Sequence, residues 1–399
     1  MRKRSRGGTA TSAKREEAQL FSVGLVADTQ YCTAEDFESN DLDYVWVETK
    51  GQPRRRKLTQ NHTHWRRYAN SLAIFKRAVS HFGSLPRSSI KACIHLGDVV
   101  DKVAKERGEV DACKAEILHL SKIAGSARTV PWFYLVGNND LQCMSREEWC
   151  AEFTPICARV GGGLVPPPRL GSPPRPSPQT MYFDWSPRLG FRFVFLDGFD
   201  MSALPRITPP DVSAATLALH TAAVSFLAAH ATPFDCPDES KQRFKNYNGA
   251  LGPGQLAWLG HLLTTADERK ERVFLFCHLP VDPTCCRADG LLWNNDEVLA
   301  LLHAHRCCCA YISGHDHTGG FNIDSEGVVH LSPPAPLEAA VGDGAFGTLE
   351  FYHDYFCLDW HGAPPRAFTI GPCGWPAKET RLGYRDVGSS ARLPVSQSK

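Results

Sequence analysis

Residues 91–101 read KACIHLGDVVD, and this stretch joins a strand-like run to two aspartates. The strand pattern ends at Gly97, where a glycine lets the backbone turn sharply and leaves room for the close approach of another segment. Asp98 and Asp101 follow the turn. A lone GDxxD is usually a strand-end turn with a capping aspartate. Its meaning therefore depends on whether other strands of the chain end in the same way.

Four further strand-like segments also end in polar side chains that can bind a metal. They are FSVGLVAD at 21–28, PWFYLVGN at 131–138, RVFLFCHL at 272–279 and CCAYISGH at 308–315. Together the strand ends supply seven candidate ligands: Asp28, Gln30, Asp98, Asn138, His278, His315 and His317. Because ligands bind outside the carboxyl ends of strands in open α/β sheets, we expect these side chains to meet at the strand ends of one sheet.

The chemistry of this set favours divalent metal ions. Carboxylate, carboxamide and imidazole ligands suit Mn, Fe, Zn or Mg better than copper or a thiolate-bound metal. Two such ions about 3.5–4 Å apart can share one carboxylate and one hydroxide that attacks phosphorus in line, and Asp98 is the candidate for the shared carboxylate. His62 and His64 also form an HxH pattern, but no strand precedes them, and we interpret them as structural or solvent-facing.

Composition restricts the class of protein. The chain has 399 residues, of which 43% are hydrophobic and 22% charged, as expected for one globular enzyme domain with insertions. The net charge of +1 gives no global field that would favour nucleic acid, and no apolar run approaches the roughly 20 residues of a membrane helix. The 15 cysteines lie in predicted strands or in runs, so we interpret them as reduced thiols of a cytosolic protein. A thiolate zinc site is the alternative, but the usual spacings are missing.

The chain divides into a central domain and two polar ends. Residues 1–18 are predicted to form a disordered basic tail, residues 19–371 a single domain, and residues 372–399 a poorly ordered C-terminal tail. Polar and Gly/Pro-rich stretches predict insertions at 41–60 and 161–178. Apolar periodicity predicts helices over 65–82, 109–124, 213–231 and 255–266, and closely spaced antiparallel strands from residue 327 onward.

The order of the five motifs D-x-Q, G-D-x-x-D, G-N-x-D, strand-H and G-H-x-H resembles that of the calcineurin-like metallophosphoesterase superfamily, over roughly residues 21–360. Wider matches, among them ADTQY, LGDVVD, NYNGALGPGQLAWL and SGHDHTGGF, are similar to the manganese-dependent ADP-ribose/CDP-alcohol diphosphatases of that superfamily. The resemblance implies a mixed α/β fold, a four-layer α/β/β/α sandwich around two mixed sheets. It also implies hydrolysis of the diphosphate bond of ADP-ribose and of CDP-alcohols such as CDP-choline, with release of AMP or CMP.

The resemblance further implies a role for each motif residue. One metal would be held by Asp28, Gln30, Asp98 and His317, and the other by Asp98, Asn138, His278 and His315. Arg67, Asn248 and Gly249 match family positions near the substrate. The implied cofactors are two divalent ions, Mn first and Mg, Fe or Zn as alternatives. The implied enzyme is cytoplasmic and acts on a small nucleoside diphosphate, with no nucleic acid, membrane or obligate protein partner.

One position departs from the family pattern. The family has a histidine after the third-motif ligand, in G-N-H-D/E, whereas this chain has Asn139. That histidine would stabilise charge on the phosphate and help to protonate the leaving group, and general acid help is worth ~10²–10⁴-fold. Three readings stay open: a diphosphatase of reduced turnover, a weakly active or inactive binding scaffold with the same fold, and, against the wider similarity, a protein phosphatase.

Overall fold

Helices and strands are mixed in the middle of the described chain, and runs of strands lie at both ends. The computed structural model describes residues 18–39, 44–49, 52–57, 64–86, 88–123, 130–158, 177–204, 214–233, 236–353, 355–362 and 390–394. The strands are β1 Phe21–Val26, β2 Phe37–Ser39, β3 Tyr44–Thr49, β4 Gln52–Lys57, β5 His64–Arg66, β6 Ile90–His95, β7 Trp132–Tyr134, β8 Phe183–Trp185, β9 Phe191–Phe195, β10 Met201–Ser202, β11 Gly249–Ala250, β12 Arg272–Cys277, β13 Cys308–Ser313, β14 Gly320–Ile323, β15 Val329–Ser332, β16 Ala345–Phe351, β17 Tyr355–Gly362 and β18 Ser390–Pro394. The helices are α1 Tyr68–Ser84, α2 Val103–Glu106, α3 Val110–Ile123, α4 Asn138–Cys143, α5 Arg146–Ala158, α6 Ala214–His230, α7 Glu239–Gln242, α8 Pro253–Glu268 and α9 Asn295–His303, and a 3₁₀ turn spans Ala288–Gly290.

Two six-stranded mixed sheets form the centre of the fold. The first sheet has the order β18-β17-β16-β1-β6-β7, and the second has the order β14-β15-β13-β12-β9-β8. In the first sheet β1, β6 and β7 run parallel, and in the second β9, β12, β13 and β15 run parallel. Because parallel neighbours share a direction, the carboxyl ends of these strands gather at one end of each sheet.

Aromatic side chains fill the space between the two sheets. The ring of Phe21 on β1 stacks on Phe351 of β16 with 4.5 Å between centroids, and it meets Phe191 of β9 edge-on at 5.1 Å. Phe274 of β12 meets Phe351 at 4.9 Å. All four side chains are buried, and such ring pairs contribute about 0.5–1.5 kcal/mol each beyond the burial of their area. The two sheets therefore pack directly face to face.

Helices cover the outer faces of the sheets. In α1 the buried residues Ile74, Phe75, Ala78 and Phe82 recur at helical spacing and form one apolar stripe. This helix packs on β1 and β16 of the first sheet, whereas α8 packs on β12 of the second. Gly24 of β1 permits the close approach, because a Cβ there would lie 2.8 Å from Cδ2 of Phe82. The layers run helix, sheet, sheet, helix, so the predicted fold class is confirmed.

The elements agree with the sequence prediction in large part. The four predicted helices are present as α1, α3, α6 and α8. Helices α5 and α9 were not predicted, since the first begins with polar residues and the second is short. The antiparallel pairing of β16 with β17 was expected, but β15 runs parallel to β13 in the other sheet. Within the described residues, no helix combines the length and the apolar character needed to cross a bilayer.

Two segments predicted to be polar contain strands in the described structure. The range 41–60, predicted as a loop-like insertion, contains the hairpin of β3 and β4, in which β-branched and aromatic residues of β3 favour a strand. Within 372–399, predicted to be poorly ordered, β18 pairs with β17 and satisfies the backbone groups of that edge strand. Residues 1–17 of the basic tail and 161–176 of the second insertion lie outside the described residues. The boundaries of the single domain, 19 and 371, stay a prediction.

Candidate metal centre

The candidate ligands come together where the carboxyl ends of the two sheets meet. Asp28, Asp98 and Asn138 follow β1, β6 and β7 of the first sheet, whereas His278 and His315 follow β12 and β13 of the second. The expectation that all of them leave a single sheet was wrong. A run of strand patterns along a sequence does not reveal how the strands divide between two sheets, because each sheet has its own parallel strands with polar ends.

Asp98 lies at the middle of the cluster and is only 1% exposed. Its Oδ1 accepts a hydrogen bond from the backbone N–H of Asn139 at 2.8 Å and lies 3.6 Å from Nε2 of His278. Its Oδ2 accepts from the side-chain amides of Gln30 at 2.9 Å and of Asn139 at 2.6 Å. The two carboxylate oxygens therefore face different halves of the ligand set, the arrangement that a carboxylate shared by two metal ions requires.

One half of the set contains His278, Asn138 and His315. Nδ1 of His278 donates to the backbone carbonyl of Leu96 at 2.8 Å, which leaves Nε2 as the ring nitrogen with a lone pair for a metal. That Nε2 lies 3.2 Å from Oδ1 of Asn138 and 3.2 Å from Nδ1 of His315. Potential ligand atoms of Asn138 and His315 thus both lie beside Nε2 of His278.

The other half contains Asp28, Gln30 and His317. Nε2 of His317 lies 3.8 Å from Oδ1 of Asp28 and 2.8 Å from Nε2 of Gln30. Nδ1 of His317 donates to Glu338 at 2.6 Å, a carboxylate–imidazole contact of the kind that orients metal-binding histidines. The amide nitrogen of Gln30, rather than its oxygen, faces Asp98 and His317. Gln30 can therefore bind a metal through its oxygen only after the amide turns over.

Strained backbone marks the same residues. Five non-glycine residues among those described have a positive φ, and four of them are candidate ligands: Asp28 at 44°, Gln30 at 40°, Asp98 at 55° and His315 at 69°. This conformation costs on the order of 1–3 kcal/mol for each residue and persists only where the surrounding contacts impose it. The fold therefore holds these side chains in place at a cost to its own stability, which indicates a functional site.

Glycines in the motifs allow the ligands to approach one another. A Cβ added at Gly137 would lie 2.0 Å from Oδ1 of Asp98, and a Cβ at Gly314 would lie 2.6 Å from Oδ2 of Asp28. Each of these glycines lies directly against a ligand that belongs to another motif. Any larger residue would push the ligands apart, which gives a physical reason for the G in G-N-x-D and G-H-x-H.

The electrostatics of the cluster fit a bound cation. Burial, and next the charge of Asp98, raise the pKa of Asp28 well above its ordinary value. Burial lowers the pKa of both His278 and His315, so these imidazoles are neutral, the form that binds metals. Ligand atoms of Asp28, Asp98 and His278 lie within 4.8 Å of one another. A divalent ion between them would offset the repulsion of two buried carboxylates.

Arg67, predicted to lie near the substrate, has another task in the structure. Its Nη1 donates to the backbone carbonyl oxygens of Glu338 at 2.7 Å and of Ala339 at 3.1 Å. Its guanidinium lies 4.8 Å from the ring centroid of Trp65. Arg67 thus anchors the segment that carries Glu338, the partner of His317, and its place near the substrate stays a prediction.

The neighbouring Arg66 is the arginine that reaches the candidate ligands. Its Nη1 donates to the side-chain oxygen of Gln30 at 2.8 Å and lies 3.9 Å from Asp101. Sequence reasoning missed Arg66 because side chains alternate between the two faces of a strand. Arg66 is the last residue of β5 and Arg67 follows it. Which of the two faces the centre depends on how the strand is oriented, and the sequence alone does not reveal it.

Asn248 and Gly249 border the His315 side of the centre, and their place near the substrate stays a prediction. Oδ1 of Asn248 accepts from Nε2 of His315 at 3.0 Å, which leaves Nδ1 of His315 directed at His278. A Cβ at Gly249 would lie 2.4 Å from the carbonyl oxygen of Gly198. Asn248 therefore orients a candidate ligand, whereas Gly249 is required for backbone packing.

Asn139, at the position of the family histidine, is 7% exposed and lies in the first turn of α4. Besides its two hydrogen bonds to Asp98, its Oδ1 accepts from the backbone N–H of Lys102 at 3.3 Å.

The next residue, Asp140, was missed by sequence reasoning. Its Oδ1 accepts from the backbone N–H groups of Val99 and Val100, at 2.9 and 3.1 Å, and so ties the second motif to the third.

Buried carboxylates, carboxamides and imidazoles at the meeting point of two mixed sheets define a metal-dependent hydrolase centre. The sequence profile of the calcineurin-like phosphoesterase family matches residues 21–319, and the chain belongs to this family. It is accordingly an enzyme of the phosphoester hydrolase class, and its centre binds divalent metal.

Relatives cover most of the chain. The manganese-dependent ADP-ribose/CDP-alcohol diphosphatase of Oryza sativa subsp. japonica is 32% identical over 346 residues, which is 85% of this chain and 90% of the relative. The protein of the same name from Arabidopsis thaliana is 30% identical over 341 residues, 85% of this chain and 93% of the relative. Among solved structures, a dimetal phosphatase from Danio rerio has a TM-score of 0.67 and 25% identity, and the match covers 86% of this chain and 97% of that one.

Proposed function

We propose that this protein hydrolyses the diphosphate bond of ADP-ribose and of CDP-alcohols such as CDP-choline, and releases AMP or CMP. The observation that carries the proposal is the complete ligand set around the buried Asp98. Relatives whose name states this activity match most of the chain and support the substrate class.

Two divalent ions, Mn in the first place, fit the two halves of the ligand set. Asp28, Gln30 and His317 belong to one half, Asn138, His278 and His315 belong to the other, and Asp98 belongs to both. When bound, such ions stabilise charge on the phosphate and supply a nucleophile at neutral pH. The oxygen and nitrogen ligands also accept Mg, Fe or Zn, and the relatives' names favour Mn.

The chain's own side chains bind and orient the substrate beside these ions. Arg66 places a guanidinium at the Gln30 side, where this group can bind a phosphate through two parallel hydrogen bonds. Asn248 and Glu338 keep His315 and His317 in the orientation that a metal needs. Asn139 holds the carboxylate of Asp98, so no described side chain of the third motif serves as a proton donor to the leaving group.

The loss of the family histidine fits a diphosphate better than a phosphate monoester. A nucleoside monophosphate leaves with a basicity set by a phosphate pKa of about 6, so it needs little protonation. An alkoxide leaving group depends on a proton donor, whose help is worth ~10²–10⁴-fold. We therefore expect a diphosphatase with reduced turnover and a far weaker activity toward phosphoproteins.

A weakly active or inactive binding scaffold is the second candidate, and Asn139 is the observation that favours it. Against it stand the strained backbone angles at Asp28, Gln30, Asp98 and His315. A protein that had given up metal chemistry would gain stability by relaxing these residues, so their retention favours catalysis.

We infer a cytoplasmic location and a small-molecule substrate, with no obligate protein partner. No disulfide links the cysteines whose side chains the structure describes, as expected for thiols kept reduced. The net charge of +1 gives no reason to expect nucleic acid or an anionic membrane surface as a partner.

The test is release of AMP from ADP-ribose and of CMP from CDP-choline by the Mn-loaded protein, beside Asp98→Ala and Asn139→His. We expect activity that disappears in Asp98→Ala and rises in Asn139→His. Activity that appears only in Asn139→His would mean an intact centre that has given up catalysis. No activity in either protein would favour the scaffold.

A further inference from the structure

The segment 287–290 forms a wall against the candidate ligand His315. Asn248 links the two, because its Nδ2 donates to the backbone carbonyl of Asp289 at 2.7 Å while its Oδ1 lies 3.0 Å from Nε2 of His315. A Cβ added at Gly290 would lie 3.4 Å from Cδ2 of His315. The wall is thus in direct contact with the half of the centre that contains His278 and His315.

Arg287 stands at the start of this wall. Its backbone N–H donates at 2.8 Å to Asp316, the residue that follows His315. Its side chain is 53% exposed, and its Nε lies 3.5 Å from Asp289. The other oxygen of Asp289 accepts from the hydroxyl of Tyr247 at 3.2 Å, and the ring of Tyr247 lies 6.0 Å from that of His315. A half-exposed cation is therefore held at the rim of the centre by groups that touch a ligand.

The ion pair with Asp289 does not by itself account for this arrangement. The ion pair with Asp289 is long and half-exposed, and such pairs contribute little to stability. A guanidinium that is held through Nε keeps its two terminal amino groups for an acceptor beyond the wall. The spacing of these two amino groups matches that of two phosphate oxygens, so a guanidinium can bind a phosphate through two parallel hydrogen bonds.

We propose that Arg287 binds the second phosphate of a diphosphate substrate, the one that is not attacked. This inference rests on the proposed function. The candidate ligands would hold the metal ions beside the reacting phosphate. The second phosphate would lie outside this cluster, and its negative charge would need a cation of its own. Arg66 lies at the opposite half, with Gln30, so Arg287 is the cation beside His315. It makes the site selective for diphosphates over compounds with one phosphorus.

The test is equilibrium binding to the Mn-loaded protein of methylene-bridged ADP, which has two phosphates and cannot be cleaved at the bridge, beside AMP, which has one. In Arg287→Gln we expect the affinity for methylene-bridged ADP to fall roughly tenfold or more, as for a lost charge-assisted hydrogen bond, and the affinity for AMP to stay unchanged. Arg287→Lys keeps the positive charge but lacks the paired amino groups of the guanidinium, so it should retain part of the affinity for methylene-bridged ADP that Arg287→Gln loses.

Arg188→Gln is the matched control. Arg188 is exposed, its described contact is a 3.5 Å hydrogen bond to the backbone of Leu20, and the change in net charge is the same. Equal loss of both nucleotides in Arg287→Gln, or loss of neither, would overturn the role of Arg287. The proposed function is read separately, from AMP release out of ADP-ribose by the natural protein. No release, together with the tenfold difference in binding, would overturn the hydrolase proposal and support Arg287 as a diphosphate-binding residue.

Discussion

Asn139 binds the carboxylate of Asp98 where the family has a histidine that faces the phosphate. Two of the three described hydrogen bonds to the carboxylate of Asp98 come from this one residue, from its backbone N–H and from its side-chain amide. A carboxylate that is already held in one orientation loses less conformational entropy when it binds a metal. The substitution thus removes a proton donor and in exchange orients a ligand.

Replacing Asn139 by alanine should therefore weaken Mn binding. A lost hydrogen bond to a charged, buried group is worth about 1.5–3 kcal/mol, or roughly 10- to 150-fold in affinity. The measurement is a titration of Mn into metal-free protein, followed by electron paramagnetic resonance of the free ion. Asn322→Ala is the control, because it removes a 2.7 Å amide donor from another buried aspartate, Asp282. It should lower the melting temperature and leave Mn affinity intact. Wild-type affinity in Asn139→Ala would exclude a role in orienting Asp98.

The adjacent arginines of the WRR sequence offer a second pair of variants. Arg66 contacts Gln30 at the centre, whereas Arg67 holds the backbone of Glu338 and Ala339. Arg66→Ala should raise the KM for ADP-ribose about tenfold or more, since it removes a charge-assisted contact, with a small change in melting temperature. Arg67→Ala should instead lower the melting temperature by the equivalent of about 1.5–3 kcal/mol. The reverse pattern in kinetics and thermal unfolding would restore Arg67 as the substrate-binding residue.

At the scale of elements, the sequence predicts strand ends and long amphipathic helices well. The five motifs supply the candidate ligands because each follows a buried strand, and α1 follows from its apolar stripe. The sequence does not predict that β12 and β13 belong to a different sheet from β1 and β6. Long-range pairing leaves no trace in local periodicity. It also does not predict which face of β5 carries Arg66, because that depends on pairing with β2.

The contact between α1 and β17 should make the stability of the protein depend on pH. His81 on the helix and His361 on the strand meet with 4.6 Å between ring centroids, and Nε2 of each is buried with no hydrogen-bond partner among the described residues. Burial, and next the neighbouring His361, lower the pKa of His81 below its ordinary value of 6.5. The unfolded chain then binds more protons than the folded one below pH 6.5, so the contribution of His81 to stability is present above that pH and declines as the pH falls through its folded pKa.

His81→Leu should accordingly flatten the fall in stability between pH 7 and pH 5, because leucine cannot be protonated. Urea unfolding at several pH values measures this slope. His119→Leu is the control, since this histidine lies on the neighbouring helix α3 and has no described hydrogen bond to a buried group. A slope that is the same in His81→Leu and in the natural protein would mean that His81 does not take up a proton on unfolding.

At the scale of the whole molecule, the centre lies between the two sheets and draws ligands from both. The contact of His278 with the carbonyl of Leu96 and that of the His315 N–H with Asp28 already join the sheets at this end. At the other end of the sheets, phenylalanine rings of the two sheets pack against each other and join them there as well. A metal bound by both sheets would therefore act as a cross-link at the strand ends, so its binding energy should add to the stability of the entire domain.

Removal of Mn should consequently lower the melting temperature, and Asp28→Asn should raise the melting temperature of the metal-free protein and weaken its response to Mn. A ligand at 100 times its Kd stabilises the folded state by about 2.7 kcal/mol, so wild-type protein should melt several degrees lower after chelation. In metal-free protein at pH 7, Asp28→Asn should melt higher than wild type, because burial and Asp98 make the charged form of Asp28 costly, as its raised pKa indicates. The same variant should lose most of the gain from Mn, since it lacks one ligand. Asp296→Asn removes an exposed carboxylate and should leave both quantities unchanged. A metal-free Asp28→Asn that melts below wild type would mean that the buried carboxylates are already compensated within the protein, and the centre would then not depend on a cation for its charge balance.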